Sequence, residues 1–203
     1  MCPLKPLNRS RRKIFVVAAS LAMSISFTLG SMADAEAKIT AFFSAGTSCD
    51  GSPSASFAAG GSVVKVSLCV TTTTEALCGH TIKLQAADAN DSGRFHVTAV
   101  SLGANYSDPN SELKFPIAIA IPPAAVDFGA TVSGAAVAPA AKQLLLTFDI
   151  FPQANATKDL YAIVLAPNST VSVRTDSACA LPTDSPIAAN FKLIRRRGTE
   201  PRK

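Results

Sequence analysis

The chain has 203 residues, enough for one domain with short appendages, and only 16% of them are charged, against an average near ~25%. Hydrophobic residues make up 48%, which excludes intrinsic disorder because disordered chains combine low hydrophobicity with high net charge. The net charge of +5 is uneven, since residues 36–191 hold eight basic and twelve acidic residues. The overall basic charge is therefore no evidence for nucleic-acid binding.

Residues 1–35 have the features of a secretory signal peptide. The segment begins with Lys and Arg and no acid, continues as an apolar stretch, and ends in the cleavage site Ala33-Asp34-Ala35. The sequence therefore predicts cleavage before Glu36 and a mature chain that is secreted or periplasmic. No later apolar run is long enough for a transmembrane helix, so none is expected in the mature chain.

The export route is the general secretory pathway in this interpretation. The arginine pair Arg11-Arg12 also resembles a twin-arginine export motif, which is the alternative. Ile14 stands where that motif usually has Phe, and arginine pairs also occur in ordinary signal peptides. The general pathway is therefore favoured.

The four cysteines of the mature chain predict disulfide bonds. Cys2 lies in the signal peptide, and export exposes the remaining even number to an oxidising compartment. Four cysteines allow three connectivities. We favour Cys69–Cys78, which a short polar connection separates, together with Cys49–Cys179, which would tie the two ends of the domain together.

The body of the chain alternates apolar and polar residues with the period of two that is typical of strands with one buried face. The apolar positions are Val64, Val66, Leu68, Val70, Ile82, Leu84, Phe95, Val97, Leu144, Leu146, Phe148, Ile150, Val171 and Val173. In the strand over 143–151, Leu145, Thr147 and Asp149 fall on the opposite face. Turns rich in Gly, Pro, Asn and Asp separate these segments.

This pattern predicts an all-β protein, a single antiparallel β-sandwich of the jelly-roll or immunoglobulin-like kind with about nine strands. The sandwich is expected over 62–194. An N-terminal extension with a first strand would precede it over 36–61, and a basic disordered tail would follow over 195–203.

Three stretches of the sandwich resemble the cohesin and carbohydrate-binding-module superfamily of extracellular β-sandwiches. They read SVVKVSLCV, HTIKLQAADANDSGRFHVTAVSLG and QLLLTFDIFPQANATKDLYAIVLAPNSTVSV, and the resemblance covers residues 63–173. The resemblance implies a jelly-roll-like sandwich that recognises a partner through a sheet face, and it assigns no binding residue. The chain departs from the family at Ala87-Asp88, where a Tyr-Asp pair is usual, and in its cysteines.

No pattern in the sequence indicates catalysis. His80 and His96 are the only imidazoles, and there is no G-x-S-x-G elbow, no C-x-x-C pair and no glycine-rich loop leading into a helix. We therefore predict no catalytic residue, no cofactor and a non-enzymatic role in extracytoplasmic protein–protein interaction. A carbohydrate-binding module, with a polysaccharide as its ligand, and a surface or fimbrial-type structural subunit are the alternatives.

Asp88, Asn90 and Ser92 are the candidate metal ligands. Oxygen donors at alternate positions followed by Gly93 resemble the start of a calcium loop. The twelfth position of such a loop should supply a bidentate Glu but is Ala99, and a strand follows instead of a helix. A turn capped by Asp and Asn side chains explains the same residues, so no metal is predicted.

Two further features are candidate contacts. Tyr106 lies in a predicted turn and is the candidate for an exposed ligand-binding ring, because sugar-binding proteins use aromatic rings and the chain has no Trp. The tail over 195–203 holds Arg195, Arg196 and Arg197. It is the candidate for contact with an anionic polymer or lipid.

Overall fold

The structure is a computed structural model. It describes residues 39–107, 117–119, 126–132, 135–174, 179 and 181–197. The predicted signal peptide over 1–35 and the end of the basic tail over 198–203 lie outside the described residues. Within the described part of the chain, no helix is long and apolar enough to cross a membrane.

The described residues form thirteen strands and one turn of 3-10 helix, Ala89–Asp91. The strands are β1 (Ile39–Ala45), β2 (Ser54–Phe57), β3 (Val64–Thr72), β4 (Ala76–Ala86), β5 (Phe95–Leu102), β6 (Tyr106–Ser107), β7 (Ile117–Ala118), β8 (Val126–Val132), β9 (Gln143–Pro152), β10 (Leu160–Leu165), β11 (Thr170–Arg174), β12 (Thr183–Pro186) and β13 (Asn190–Arg195). The predicted all-β class is confirmed. The count exceeds the predicted nine because short pieces such as β6, β7 and β12 add to the sheets.

The strands form two sheets that pack as a sandwich. The five-stranded sheet has the order β1-β3-β9-β5-β7, so β9 lies at its centre. The eight-stranded sheet runs β12-β11-β4-β10-β13-β2, with β8 paired to β4 and β6 paired to β8. All strand pairs are antiparallel except β13 and β2, which are parallel.

Aromatic side chains join the two sheets across the core. Phe148 of β9 meets Phe128 of β8 with ring centroids 5.3 Å apart, at the middle of the sandwich. Further ring contacts between the sheets are Phe43–Phe191, Phe57–Phe95 and Phe95–Tyr161, with centroids 6.1, 5.3 and 5.0 Å apart. These rings are buried and lie in one continuous cluster with the apolar rows of the strands. The core therefore depends on side chains from both sheets.

The alternation in β9 is confirmed on most of its length and wrong at its start. Leu146, Phe148 and Ile150 are buried, as predicted. The prediction placed Leu144 inward and Leu145 outward, but Leu145 is fully buried and Leu144 only half-buried. The pairing of β9 with β3 shifts register here, so Leu145 is an extra residue that reverses the alternation before it.

The segment predicted as an N-terminal extension, 36–61, contributes a strand to each sheet. β1 pairs with β3 along its whole length, and β2 pairs with β13. Phe43 of β1 and Phe57 of β2 are buried in the core. The first strand predicted in this segment is present as β1, whereas β2 was not predicted. The described part of the segment therefore belongs to the sandwich.

The disulfides are Cys49–Cys69 and Cys78–Cys179, with Cα–Cα distances of 5.8 and 5.5 Å. This corrects the predicted pairing of Cys69 with Cys78 and of Cys49 with Cys179. The prediction rested on the short polar connection that separates Cys69 from Cys78 in the sequence. Cys69 lies in β3 of the five-stranded sheet and Cys78 in β4 of the other sheet, so the connection crosses between sheets.

Candidate functional site

The outer face of the eight-stranded sheet is open where β10, β13 and β2 lie side by side. Alternation in β10 and β13 directs Tyr161, Ile163, Phe191 and Leu193 into the core. The residues between them point away from the core. We call this surface the β10–β13 face, and it consists of Ser54, Ser56, Leu160, Ala162, Val164, Lys192, Ile194 and Arg196.

Two large apolar side chains lie together at one end of the β10–β13 face, where β10 begins. Leu160 and Ile194 are directly opposite each other in the pairing of β10 with β13. Leu160 is 54% exposed and Ile194 is 45% exposed. Single exposed apolar residues are ordinary, but a cross-strand pair forms a contiguous patch, which is typical of a surface that contacts another molecule.

Small side chains make the rest of the β10–β13 face shallow. Ala162 lies opposite Lys192, and on the other side of β13 Ser54 and Ser56 lie opposite Lys192 and Ile194. None of these three small residues has a side chain that rises above the sheet as far as Leu160 or Ile194. The apolar pair therefore projects from a flat surrounding that a partner can approach closely.

Basic side chains flank the apolar pair along β13 and just beyond it. Lys192 and Arg196 are exposed, stand two residues to either side of Ile194, and form no ion pair with any described residue. Arg195 donates to the carbonyl oxygen of Thr157 at 2.6 Å. The start of the predicted basic tail is thus held against the sandwich.

An ion pair completes the attachment of this basic segment. The guanidinium of Arg197 pairs with the carboxylate of Asp159, in the turn before β10. This hydrogen bond holds the pKa of the Asp159 carboxyl below its ordinary value. The acid nearest to Leu160 in sequence is therefore already paired, which leaves the β10–β13 face positively charged.

The outer face of the five-stranded sheet is partly covered by the chain itself. The loop over 46–53 folds onto it and is attached by the Cys49–Cys69 disulfide. The backbone N–H of Gly51 donates to Ser44 Oγ at 2.7 Å. A Cβ atom at Gly51 would lie 2.0 Å from the carbonyl oxygen of Ala45, so only glycine allows the loop to lie this close.

The polar groups of this covered face are paired with each other. Ser67 donates to the carbonyl oxygen of Gly46 at 2.9 Å, and its hydroxyl lies 3.0 Å from that of Thr147. Beyond the loop, Lys65 Nζ contacts Asp149 at 2.7 Å. These internal bonds leave few polar groups on this face available to a partner.

The candidate metal ligands form a capped turn that a lysine occupies. Asp88 accepts a hydrogen bond from the backbone N–H of Asn90 at 2.9 Å, which lowers the pKa of the Asp88 carboxyl. Lys158 reaches Asp88 at 3.3 Å and also bonds Asp91. The ammonium group therefore supplies the positive charge at these carboxylates. No cluster of three or more His, Cys, Asp or Glu residues is found among the described residues.

Tyr106 is buried, which corrects its prediction as an exposed ring. It begins β6, where it pairs with Val132 of β8, and its ring lies 5.0 Å from that of His80. Burial raises the pKa of Tyr106 and lowers that of His80 from 6.5 to about 4, although the nearby backbone of Leu145 favours the charged imidazole. Neither the Tyr106 hydroxyl nor the His80 nitrogens have a hydrogen-bond partner within the described chain.

A shallow cleft of about 440 Å³ lies between β4, β8 and β11, beside the Cys78–Cys179 disulfide. Its lining includes the hydroxyl groups of Thr81, Thr131 and Ser172. The described residues that line it include no Phe, Tyr or Trp. His80 supplies an imidazole ring, but its ring nitrogens are fully buried. A sugar ring would therefore find no aromatic platform among these residues.

Solved structures of other proteins resemble this chain in fold. The seventh ScaB type I cohesin from Pseudobacteroides cellulosolvens matches with a TM-score of 0.50 and 14% sequence identity, over 81% of this chain and 98% of the cohesin. The chain has a cohesin-like fold. The third ScaB cohesin of R. flavefaciens, solved in complex with a group 1 dockerin, matches with a TM-score of 0.50 and 13% identity, over 80% and 98% of the two chains.

The cohesin-like fold confirms the resemblance seen in the sequence. No protein-family model and no curated protein matches this sequence. At these identities the likeness concerns the fold alone, and the surface has to be interpreted from its own residues. Leu160 and Ile194 were not predicted as site residues, although both stand at outward positions of alternating segments.

Proposed function

We propose that this chain is an exported, non-enzymatic module for protein–protein interaction, which acts after cleavage before Glu36. The exposed apolar pair of Leu160 and Ile194 on the β10–β13 face carries the proposal. The outward positions of a surface strand usually carry polar side chains that face water. An outward apolar pair on a flat sheet therefore favours contact with another surface.

The fold and the disulfides support this function. One structure with a similar fold, the R. flavefaciens cohesin, was solved in complex with a dockerin, so a sandwich of this kind can serve as a protein receptor. Two disulfides fit a chain that works in an oxidising compartment. The imidazoles add no catalytic arrangement, because His80 is buried beside Tyr106 and His96 lies on the outer face of the other sheet, opposite Phe151.

Site-specific photo-cross-linking of the exported chain tests the proposal. A photoreactive amino acid replaces Ala162 at the centre of the β10–β13 face, and the control replaces Ala99, which is half-buried on the outer face of the other sheet. We expect a polypeptide adduct of defined mass at position 162 and none at 99. Equal adducts at both positions, or none at 162, would contradict the proposal.

Two outcomes of the same experiment separate the alternative functions. A ladder of adducts between copies of this chain would indicate a structural subunit that polymerises. Loss of the adduct on addition of soluble polysaccharide, together with binding of the chain to that polysaccharide, would indicate a carbohydrate-binding module.

A further inference from the structure

The β10–β13 face combines its apolar pair with an excess of positive charge. Lys192 lies on the outward side of β13 with Ile194, and Arg196 is the exposed residue that follows the end of β13. Each stands two residues from Ile194, or about 7 Å along the chain at a rise of about 3.3 Å per residue in a strand. Neither forms an ion pair with a described residue. An apolar residue flanked by two cations without an ion pair is thus built into β13 and the residue that follows it.

This positive surface contrasts with the rest of the domain. Residues 36–191 carry eight basic and twelve acidic residues, a net charge of −4, whereas the segment from Lys192 to Arg197 holds four basic residues and no acid. The other exposed lysines of the sheets are paired: Lys65 with Asp149 at 2.7 Å, and Lys83 with Asp127 at 3.0 Å. Among the described residues, two cations without an ion pair therefore lie near each other at the β10–β13 face.

We propose that the β10–β13 face binds an acidic protein segment in which an apolar residue lies between carboxylates. The apolar residue packs on Leu160 and Ile194, and the carboxylates pair with Lys192 and Arg196. This inference rests on the proposed interaction function and names the chemistry of the partner. Charge complementarity of this kind raises the association rate and excludes partners of like charge.

Other occupants fit this face less well. A second copy of the chain in a two-fold contact would place the same cations against each other, without a free acid nearby because Asp159 is paired with Arg197. A lipid surface is disfavoured because membrane-binding surfaces bury a broad apolar face that often includes Trp or Phe. The β10–β13 face offers one aliphatic pair and no aromatic ring.

Titration of the isotopically labelled mature chain, followed by nuclear magnetic resonance, tests the proposal. The probes are a short synthetic peptide in which Glu and Leu alternate, a Lys-Leu peptide of the same length, and vesicles of phosphatidylglycerol. We expect the Glu-Leu peptide alone to shift the amide signals of β10 and β13. No shift with this peptide, equal shifts with the Lys-Leu peptide, or stronger binding to the vesicles would overturn the proposal.

Charge reversal gives the second arm of the test. Lys192→Glu/Arg196→Glu should weaken binding of the Glu-Leu peptide by about tenfold or more. The control Lys65→Glu/Lys142→Glu reverses two exposed cations elsewhere and should change binding less than about twofold. Circular dichroism and thermal unfolding establish that both variants are folded. Unchanged binding in the first variant would overturn the proposal.

The two proposals fail in different ways. If cross-linking at Ala162 captures a polypeptide and that capture persists in Lys192→Glu/Arg196→Glu at unchanged yield, the acidic chemistry is wrong and the interaction function stands. If no polypeptide is captured at Ala162 by the unmodified face, the interaction function itself fails.

Discussion

The two outer faces of the sandwich differ in whether another segment of the chain covers their outward side chains. On the five-stranded sheet, the loop over 46–53 covers Ser44 and Ser67, and their hydroxyls are bonded within the chain. On the β10–β13 face, Leu160 and Ile194 are exposed and no segment covers them among the described residues. The first face completes the fold, and the second leaves apolar surface in water.

This difference shows that outward positions of one sandwich can contribute either to stability or to binding. A covered face contributes to stability through hydrogen bonds and the disulfide that anchors its loop. The exposed apolar pair contributes less to folding than a core pair, because about half of each side chain remains in water after folding. Substitutions on the covered face should therefore affect stability, and substitutions on the β10–β13 face should affect binding. Substitutions in the core between the sheets should lower stability more than those on either face.

The largest expected effect is removal of the Cys78–Cys179 disulfide, which closes a loop of 101 residues. The chain-entropy relation gives about 4–5 kcal/mol for such a loop and about 3 kcal/mol for the 20-residue separation of Cys49 and Cys69. Urea unfolding of the two double Cys→Ser variants measures both losses. A larger loss for Cys49–Cys69 would show that the loop on the covered face contributes more than chain entropy.

The shared core is tested at β9, the central strand. Phe148→Ala removes a fully buried ring that contacts Phe128 and should lower the free energy of unfolding by about 3–5 kcal/mol. Asp149→Ala, the adjacent control, removes a partly exposed pair with Lys65 and should cost under about 1 kcal/mol. Equal losses in urea unfolding would show that the outward face of β9 is as important as the core.

Acid should destabilise the sandwich through His80. Burial lowers its pKa from 6.5 to about 4, so the unfolded chain binds more protons between these values. The stability contributed by the neutral imidazole is therefore complete above pH 6.5 and is lost as the pH falls towards 4, a total of about 3 kcal/mol. His80→Met should flatten the dependence of the urea midpoint on pH in this window, and His96→Asn is the control. An unchanged pH dependence in His80→Met would contradict this explanation.

The smallest effect on stability is expected at the exposed pair. Leu160→Ser/Ile194→Ser should lower the free energy of unfolding by no more than about 2 kcal/mol, because about half of each side chain is exposed already. The same variant should lose the adduct at Ala162. A fall in stability like that of Phe148→Ala would show that the pair belongs to the core.

Local pattern was enough to predict the buried rows and the sandwich. Alternation correctly placed Val66, Leu68, Ile82, Leu84 and Phe148 in the core, since the period of two is a property of each strand alone. The same reasoning failed at Leu145, where one extra residue reverses the faces and leaves no mark in the sequence.

Contacts between distant segments could not be predicted in this way. The cysteine pairing depends on which sheet each strand joins, and Cys69 and Cys78 are close in sequence but lie in different sheets. Tyr106 follows turn-like residues, yet its pairing with β8 buries the ring. The β10–β13 face depends on the register of two strands that are separated by β11 and β12, and this register alone places Leu160 opposite Ile194.

Hydrogen–deuterium exchange of the chain with and without the polypeptide captured at Ala162 tests the central claim most directly. We expect slower amide exchange over 160–164 and 190–196 on binding, with little change over 65–69 and 147–151 on the other sheet. Protection confined to the five-stranded sheet, or to the cleft between β4, β8 and β11, would contradict the assignment of the β10–β13 face as the binding surface.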